Sequence, residues 1–396
     1  MAGCRYLKIL MLVMYNPFHT FSGTEIYAGN LAKSLESLGC ELHIVCSDKQ
    51  AHTSQITQGI TLTTFARMSN PLLSVFNDYY RRLNITKQLL KKSKFDAVLA
   101  VGAGQGLIFR DLARIKSRPP LLYFTFDCMR REGNEVLKVL SLKKAPIGKR
   151  SKIHANYLKF TLADKLSCRY SDLIFAGSAD TMRSLHRYYR VQLEKIKVKY
   201  AGIPSNYSDG FYPTEPKEPI FLHVATNHER KGTIYLLKAL RLLKEKYHLN
   251  ATVWIVGEKD PSYVNMAKSF NIQVFFMETK ISRHREIYAS CTALVVPSVS
   301  EGFCLPVIEA AMFGKPAIVS NAGSLPELVD DGIDGFVVPV GDVSGLAQKM
   351  LILATDPEVV KQMSAKAKDK ARRFEINQIA SATLNSIKLV VWLLNK

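Results

Sequence analysis

Residues 293–314 read ALVVPSVSEGFCLPVIEAAMFG, a pattern of buried strand, polar turn and short helix. Pro306 stands where a helix begins and Gly314 where it ends, so Glu301 falls on the loop and Glu309 one turn into the helix. Between them, Gly302, Phe303, Cys304 and Leu305 offer the backbone N–H groups that a helix start leaves without intrahelical partners, and such a start binds phosphate. Two carboxylates beside a phosphate pocket repel the ligand unless they bind another part of it. A carboxylate accepts hydrogen bonds from vicinal hydroxyls, so one glutamate on a ribose diol and one on a hexose diol describe a nucleotide-sugar. The bland alternative, two glutamates on a solvated helix face, leaves the GFCLP between them unexplained.

Outward from this stretch, strand-like and helix-like segments alternate. Upstream run IFLHVAT, the helix GTIYLLKALRLLKEKY, ATVWIVGE, the helix SYVNMAKSF, IQVFFM and the helix SRHREIYASC. The first half repeats the alternation with KILMLVMY, TEIYAGNLAKSLESLG, CELHIVCS, FDAVLAVG, PLLYFTFD and ADTMRSLHRYYR. Strands separated by helices of this length imply parallel βαβ units. A stretch rich in Pro, Gly, Ser and Tyr separates the halves. The expectation is an α/β chain with a first Rossmann-like domain over 1–200, a linker over 201–219 and a second over 220–375. A final helix over 376–396 is expected to cross back to the first domain. Ligands of doubly wound sheets lie beyond the carboxyl ends of the strands, so the expected site is a cleft between the two domains.

At 396 residues the chain exceeds one ordinary core, and 47% hydrophobic with 22% charged residues is a globular composition. Seven scattered cysteines without a C-x-x-C pair indicate neither a disulfide framework nor a zinc site. A reducing cytoplasm fits them. The N-terminal ILMLVMY is too short for a signal peptide and reads as a first strand, and IKLVVWLL near the end is too short to span a bilayer. Charge is unevenly placed. Residues 1–200 carry 32 Lys+Arg against 14 Asp+Glu, a net of +18, whereas 201–396 carry 22 against 20, a net of +2. A positive field confined to one half implies an anionic partner there, and the expectation is an acidic membrane surface or a lipid-diphosphate acceptor. The basic stretches YYRRLNITKQLLKKSK and SLKKAPIGKRSKIHANYLK belong to no nucleic-acid module, so no nucleic-acid partner is expected.

EGFCLPVIE resembles the E-x7-E motif of retaining glycosyltransferases of family 4, two-domain enzymes of the GT-B fold. PSVSEGFCLPVIEAAMFGKPAIVSNAGSLPELVDDGIDGFVVPVGDVSGLAQKM follows that family's pattern almost without gaps. SADTMRSLHRYYRVQLEKIKVKYAGIP resembles its approach to the second domain, and SGTEIYAGNLAKSLESLGCELHIVC its first loop and helix. The resemblance implies that Glu309 binds the nucleotide ribose and Glu301 the donor-sugar hydroxyls, with Gly302 to Leu305 as backbone donors. It implies that Lys231 contacts the donor diphosphate, that Gly23 and Thr24 belong to the first-domain loop at the phosphates, and that Ile281 holds the base. The implied activity is hexosyl transfer, with retention, from a nucleoside-diphosphate sugar to a hydroxyl acceptor such as a lipid-linked or polysaccharide intermediate. The sugar nucleotide is a co-substrate and no cofactor is expected. No D-x-D or metal-like histidine spacing occurs, so metal independence is expected. The expected location is cytoplasmic, peripheral on the inner face of the plasma membrane.

Two positions depart from the family. Thr226 stands where an arginine usually precedes the lysine by five residues, which removes one diphosphate cation; Arg230 or His228 is the expected substitute. Asp127, in YFTFDCM, stands where the family often has a histidine, and reads either as a catalytic carboxylate or as a turn residue. Among rivals, VLAVGAGQGLIFRDLA puts glycines at 102, 104 and 106 but leucine at 107, so it fails the dinucleotide fingerprint and reads as a tight turn. A same-fold epimerase or phosphorylase, and a basic membrane- or nucleic-acid-binding protein on a degenerate scaffold, are the remaining alternatives.

Overall fold

The computed structural model describes residues 6–19, 22–66, 71–142, 146–212, 216, 218–277 and 284–396. Two compact units result, one of Met1–Arg130, His154–Gly202 and Ile376–Lys396, the other of Arg131–Ile153 and Ile203–Glu375.

In the first unit the apolar runs form β1 (Lys8–Tyr15), β2 (Glu41–Asp48), β3 (Thr53–Gln55), β4 (Ile60–Ala66), β5 (Ala97–Val101), β6 (Leu121–Thr125), β7 (Leu173–Ala176) and β8 (Ile196–Val198). They lie in the order β3-β4-β2-β1-β5-β6-β7-β8, parallel except for the β3 edge strand. β5, β6 and β7 are buried along their whole length, as expected of strands covered by helices on both faces. The short hairpin of β3 and β4 was not foreseen. Its first strand, TSQ, is polar and partly exposed, and neither period nor apolarity marks it.

The second unit holds β9 (Ile220–Ala225), β10 (Thr252–Gly257), β11 (Gln273–Met277), β12 (Ala293–Val296), β13 (Ala317–Ser320) and β14 (Gly335–Val338). Their order is β11-β10-β9-β12-β13-β14, all parallel. The chain winds outward from β9 through β10 to β11, then returns to the other side of β9 as β12. Loops leaving the carboxyl ends of β9 and β12 therefore diverge at a topological switch point, where doubly wound sheets bind ligands.

Two segments join the unit that their place in the chain would not suggest. Residues 131–153, which the sequence reading assigned to the first domain, group with the second unit. The last helix, Ile376–Leu394, groups with the first unit, where the Ser34 hydroxyl donates to the Asn377 side-chain oxygen at 2.8 Å.

Candidate active site

β9 ends at Ala225 and hands the chain to a single helical turn, His228–Lys231. Asn227 caps that turn, its side-chain oxygen accepting the Arg230 N–H at 3.0 Å. Gly232 then reverses the backbone at φ +68°, and a Cβ there would overlap the Pro297 carbonyl oxygen. Only glycine lets this loop approach the end of β12 so closely.

On the β12 side the sequence pattern becomes a loop through Glu301 and the helix Leu305–Met312, which follows Cys304 and has Pro306 in its first turn. Glu301 is 3% exposed. Its Oε1 accepts from Lys231 Nζ at 2.6 Å and from the Ser298 hydroxyl at 2.9 Å, while Oε2 meets an Arg230 Nη at 3.0 Å. Burial alone would raise this carboxyl, but Arg230 and Lys231 overcome it and hold it down at about 2. The carboxylate thus stays ionised between two cations. Arg230 also donates to the Ser300 carbonyl at 3.2 Å and lies 3.6 Å from the Glu132 carboxylate. Arg131 donates to the Glu301 carbonyl at 3.1 Å. Lys231 Nζ is 3.9 Å from the Cys304 sulfur, whose thiol burial pushes up to about 12.

Glu309 sits in an aromatic setting. Tyr288 donates to its Oε2 at 2.7 Å, and Tyr207 is a second hydrogen-bond partner. Burial raises the carboxyl, and the two phenols oppose the rise. Tyr288 stacks on Phe313 with the rings 11° apart, and Arg285 lies over Tyr207 and Phe211.

The structure thus brings Arg230, Lys231, Glu301, Gly302, Phe303, Cys304, Leu305 and Glu309 together in the second unit. Thr226 is exposed, one residue past β9. His228 is turned away from Glu301: its Nε2 donates to the Glu258 carbonyl at 2.7 Å and its Nδ1 lies 3.0 Å from the Thr233 hydroxyl. Of the two candidate substitutes for the missing arginine, only Arg230 points into the cluster. Ile281 lies outside the described residues.

Gly23, Thr24 and Asp127 belong to the first unit. Gly23 opens the helix Gly23–Ser37 after β1, and Thr24 packs under the turn at Gly102, whose φ is +85°. The Gly102–Gly104 stretch is a turn at the end of β5, with Gly104 also at positive φ. Asp127 follows β6, 7% exposed, and its Oδ1 accepts the Cys128 N–H at 2.7 Å. Sequence reasoning missed Ser298, Tyr207, Tyr288, Arg131 and Glu132. Ser298 stood within reach in VVPSVSEG, three residues before Glu301; the other four carry no local signal.

Comparison with known proteins identifies the family and the fold. A family model described as Glycosyltransferase Family 4 matches residues 21–207, and one described as Glycosyl transferases group 1 matches 209–370. An uncharacterized glycosyltransferase of Haemophilus influenzae is 23% identical over 90% of this chain and 94% of its own. Other curated glycosyltransferases are matched over about half of their own length. Among solved structures, a sucrose-phosphate synthase from Thermosynechococcus elongatus superposes with a TM-score of 0.79 at 18% identity, covering 97% of this chain and 99% of that one. Anabaena HepE in complex with UDP-glucose gives 0.68 at 19% identity, over 96% of this chain and 100% of that one. The chain belongs to the family 4 glycosyltransferases and has their GT-B fold.

Proposed function

We propose that this glycosyltransferase moves a hexose from a nucleoside-diphosphate sugar to a hydroxyl acceptor with retention of anomeric configuration and without a metal. The observation that carries the reading is the convergence of Lys231 and Arg230 on Glu301 at the β9/β12 switch point, beside the start of the helix Leu305–Met312.

Breaking the bond between the anomeric carbon and the diphosphate oxygen leaves negative charge on the diphosphate while the sugar becomes oxocarbenium-like. Fixed cations and oriented N–H groups at the leaving group stabilise that charge separation. Lys231 and Arg230 supply the cations, with Arg230 replacing the arginine absent at Thr226, and the amides of 302–305 supply the dipole. Glu301, ionised throughout the working pH range, orients the sugar hydroxyls. Glu309, steadied by Tyr288 and Tyr207, takes the ribose diol. Anabaena HepE binds UDP-glucose, which supports a nucleotide-sugar donor on this fold. The acceptor class is proposed from charge. The basic first half suits an anionic lipid surface or a lipid-linked intermediate of cell-surface polysaccharide synthesis, with the protein working at a membrane face. Asp127 is the candidate acceptor-side carboxylate.

Calorimetry with UDP, GDP and ADP tests the reading. One of them should bind wild type tightly and lose its affinity in Glu309→Ala. Binding of none, or binding indifferent to the substitution, would remove the ribose role of Glu309 and the donor reading with it. Lys231→Ala and Arg230→Ala should each lower turnover about 100-fold, the cost of removing one oriented charge from such a site.

A further inference from the structure

Adjacent residues on a helical turn diverge by about 100°, so Arg230 and Lys231 should not both reach one carboxylate. That they do requires something to draw Arg230 back. Glu132, from the helix Met129–Leu142, is within 3.6 Å of Arg230 Nε, and the two side chains are only 15% and 19% exposed. The Ser300 carbonyl takes an Nη of the same guanidinium at 3.2 Å. Next to Glu132, Arg131 reaches the Glu301 carbonyl across a sequence separation of 170 residues. Gly323 completes the seat: its φ is +55°, and a Cβ would overlap that same Glu301 carbonyl oxygen, which also accepts the Ser324 N–H at 3.0 Å.

We propose that Glu132 is a positioning residue of the donor site, fixing the Arg230 guanidinium so that Arg230 serves as the diphosphate cation that Thr226 cannot supply, while Arg131 pins the backbone of the Glu301 loop. A guanidinium carries five donors in one plane. With its Nε edge held by Glu132 and one amino group held at Ser300 and Glu301, that plane is set before a ligand arrives, which is the condition for an oriented charge to act on a leaving group. The inference rests on the proposed donor reading, because it needs a diphosphate beside Arg230.

The test is calorimetry with the nucleoside diphosphate that wild type binds and with the matching monophosphate. The proteins are wild type, Glu132→Gln, Arg230→Ala and the double variant, each checked for a cooperative melting transition above the temperature of the assay. Glu132→Gln is expected to weaken the diphosphate about tenfold, as for residues sharing one ion-pair network, and to leave the monophosphate unaffected. In the Arg230→Ala background the same substitution should add nothing. Equal weakening of both nucleotides, unchanged or tighter diphosphate binding, or an effect that persists without Arg230 would overturn the role of Glu132. If wild type binds no diphosphate at all, the donor reading itself falls and this inference with it. If wild type and Arg230→Ala bind the diphosphate equally, the inference falls together with the cation role of Arg230, while the nucleotide-sugar reading still stands on Lys231 and Glu309.

Discussion

Glu301 and Asp164 are both buried carboxyls, and their neighbours send them in opposite directions. Arg230 and Lys231 hold Glu301 at about 2, below its ordinary 4.5, so it contributes stability present above pH 4.5 and lost as pH falls through 2. That shift is worth about 3 kcal/mol. Asp164 lies beneath the start of the helix Met129–Leu142, its oxygens bonded to the Tyr123 hydroxyl at 2.6 Å and the Met129 N–H at 3.2 Å. Burial still raises it from 3.8 to about 6. Its contribution is therefore complete below pH 4 and lost as pH rises through 6, again by about 3 kcal/mol. Denaturant unfolding at several pH values separates them. Glu301→Gln should destabilise the protein by about 3 kcal/mol at pH 7, because buried Lys231 and partly buried Arg230 lose the carboxylate they share, and by much less near pH 2. Asp164→Asn should raise stability at pH 7 and flatten its decline between pH 4 and 6; an unchanged profile would mean that Asp164 titrates normally. Of the site residues, the two glutamates were legible through their spacing from Pro306 and Gly314, whereas Lys231 was named only through the family resemblance. Arg230 was legible only as one of two candidates, since its partners, the Glu132 and Glu301 carboxylates and the Ser300 carbonyl, lie beyond its own turn.

At the scale of elements, the Arg230–Lys231–Glu301 cluster depends on the loops after β9 and β13, each of which approaches the loop after β12 at a glycine. Gly232 and Gly323 both have positive φ and both would drive a Cβ into a carbonyl oxygen. Alanine at either position combines backbone strain with a clash, so Gly232→Ala and Gly323→Ala should each lower stability by more than about 1 kcal/mol, read as a drop in melting temperature. Gly323→Ala should also weaken nucleoside diphosphate binding, because it displaces the Glu301 loop. By contrast Gly332, also at positive φ, has nothing near its missing side chain and should tolerate alanine with the strain cost alone. The helix Leu305–Met312 was legible because its start and stop are written as Pro306 and Gly314. The β3/β4 hairpin was not, because three polar residues on a sheet edge bury too little to leave a pattern.

Over the whole molecule, the charge of +18 in residues 1–200 against +2 in the remainder is a property that composition fixes and folding arranges. The helix Ile147–Tyr170, whose residues from His154 onward belong to the first unit, exposes Leu158 by 62% and Leu162 by 59%, with Lys159 and Lys165 exposed beside them. Among the described residues no helix is long and apolar enough to cross a membrane. Exposed leucines flanked by lysines suit the boundary of an anionic bilayer. Vesicles containing acidic lipid should therefore sediment the protein at low salt and release it as salt rises, and Leu158→Ser with Leu162→Ser should weaken that binding several-fold. Sedimentation indifferent to acidic lipid would remove the membrane from the proposed function. The sequence by itself determined the alternation of strands and helices, the two sheets and the glutamate pair, because period, proline and glycine act on neighbours along the chain. Only the tertiary structure decided that Arg131 and Glu132 belong with Glu301, that Tyr207 attends Glu309, and that His228 serves Glu258 and Thr233. Those contacts join residues from separate elements, and which of them meet is settled by how the elements pack, a property that no local pattern encodes.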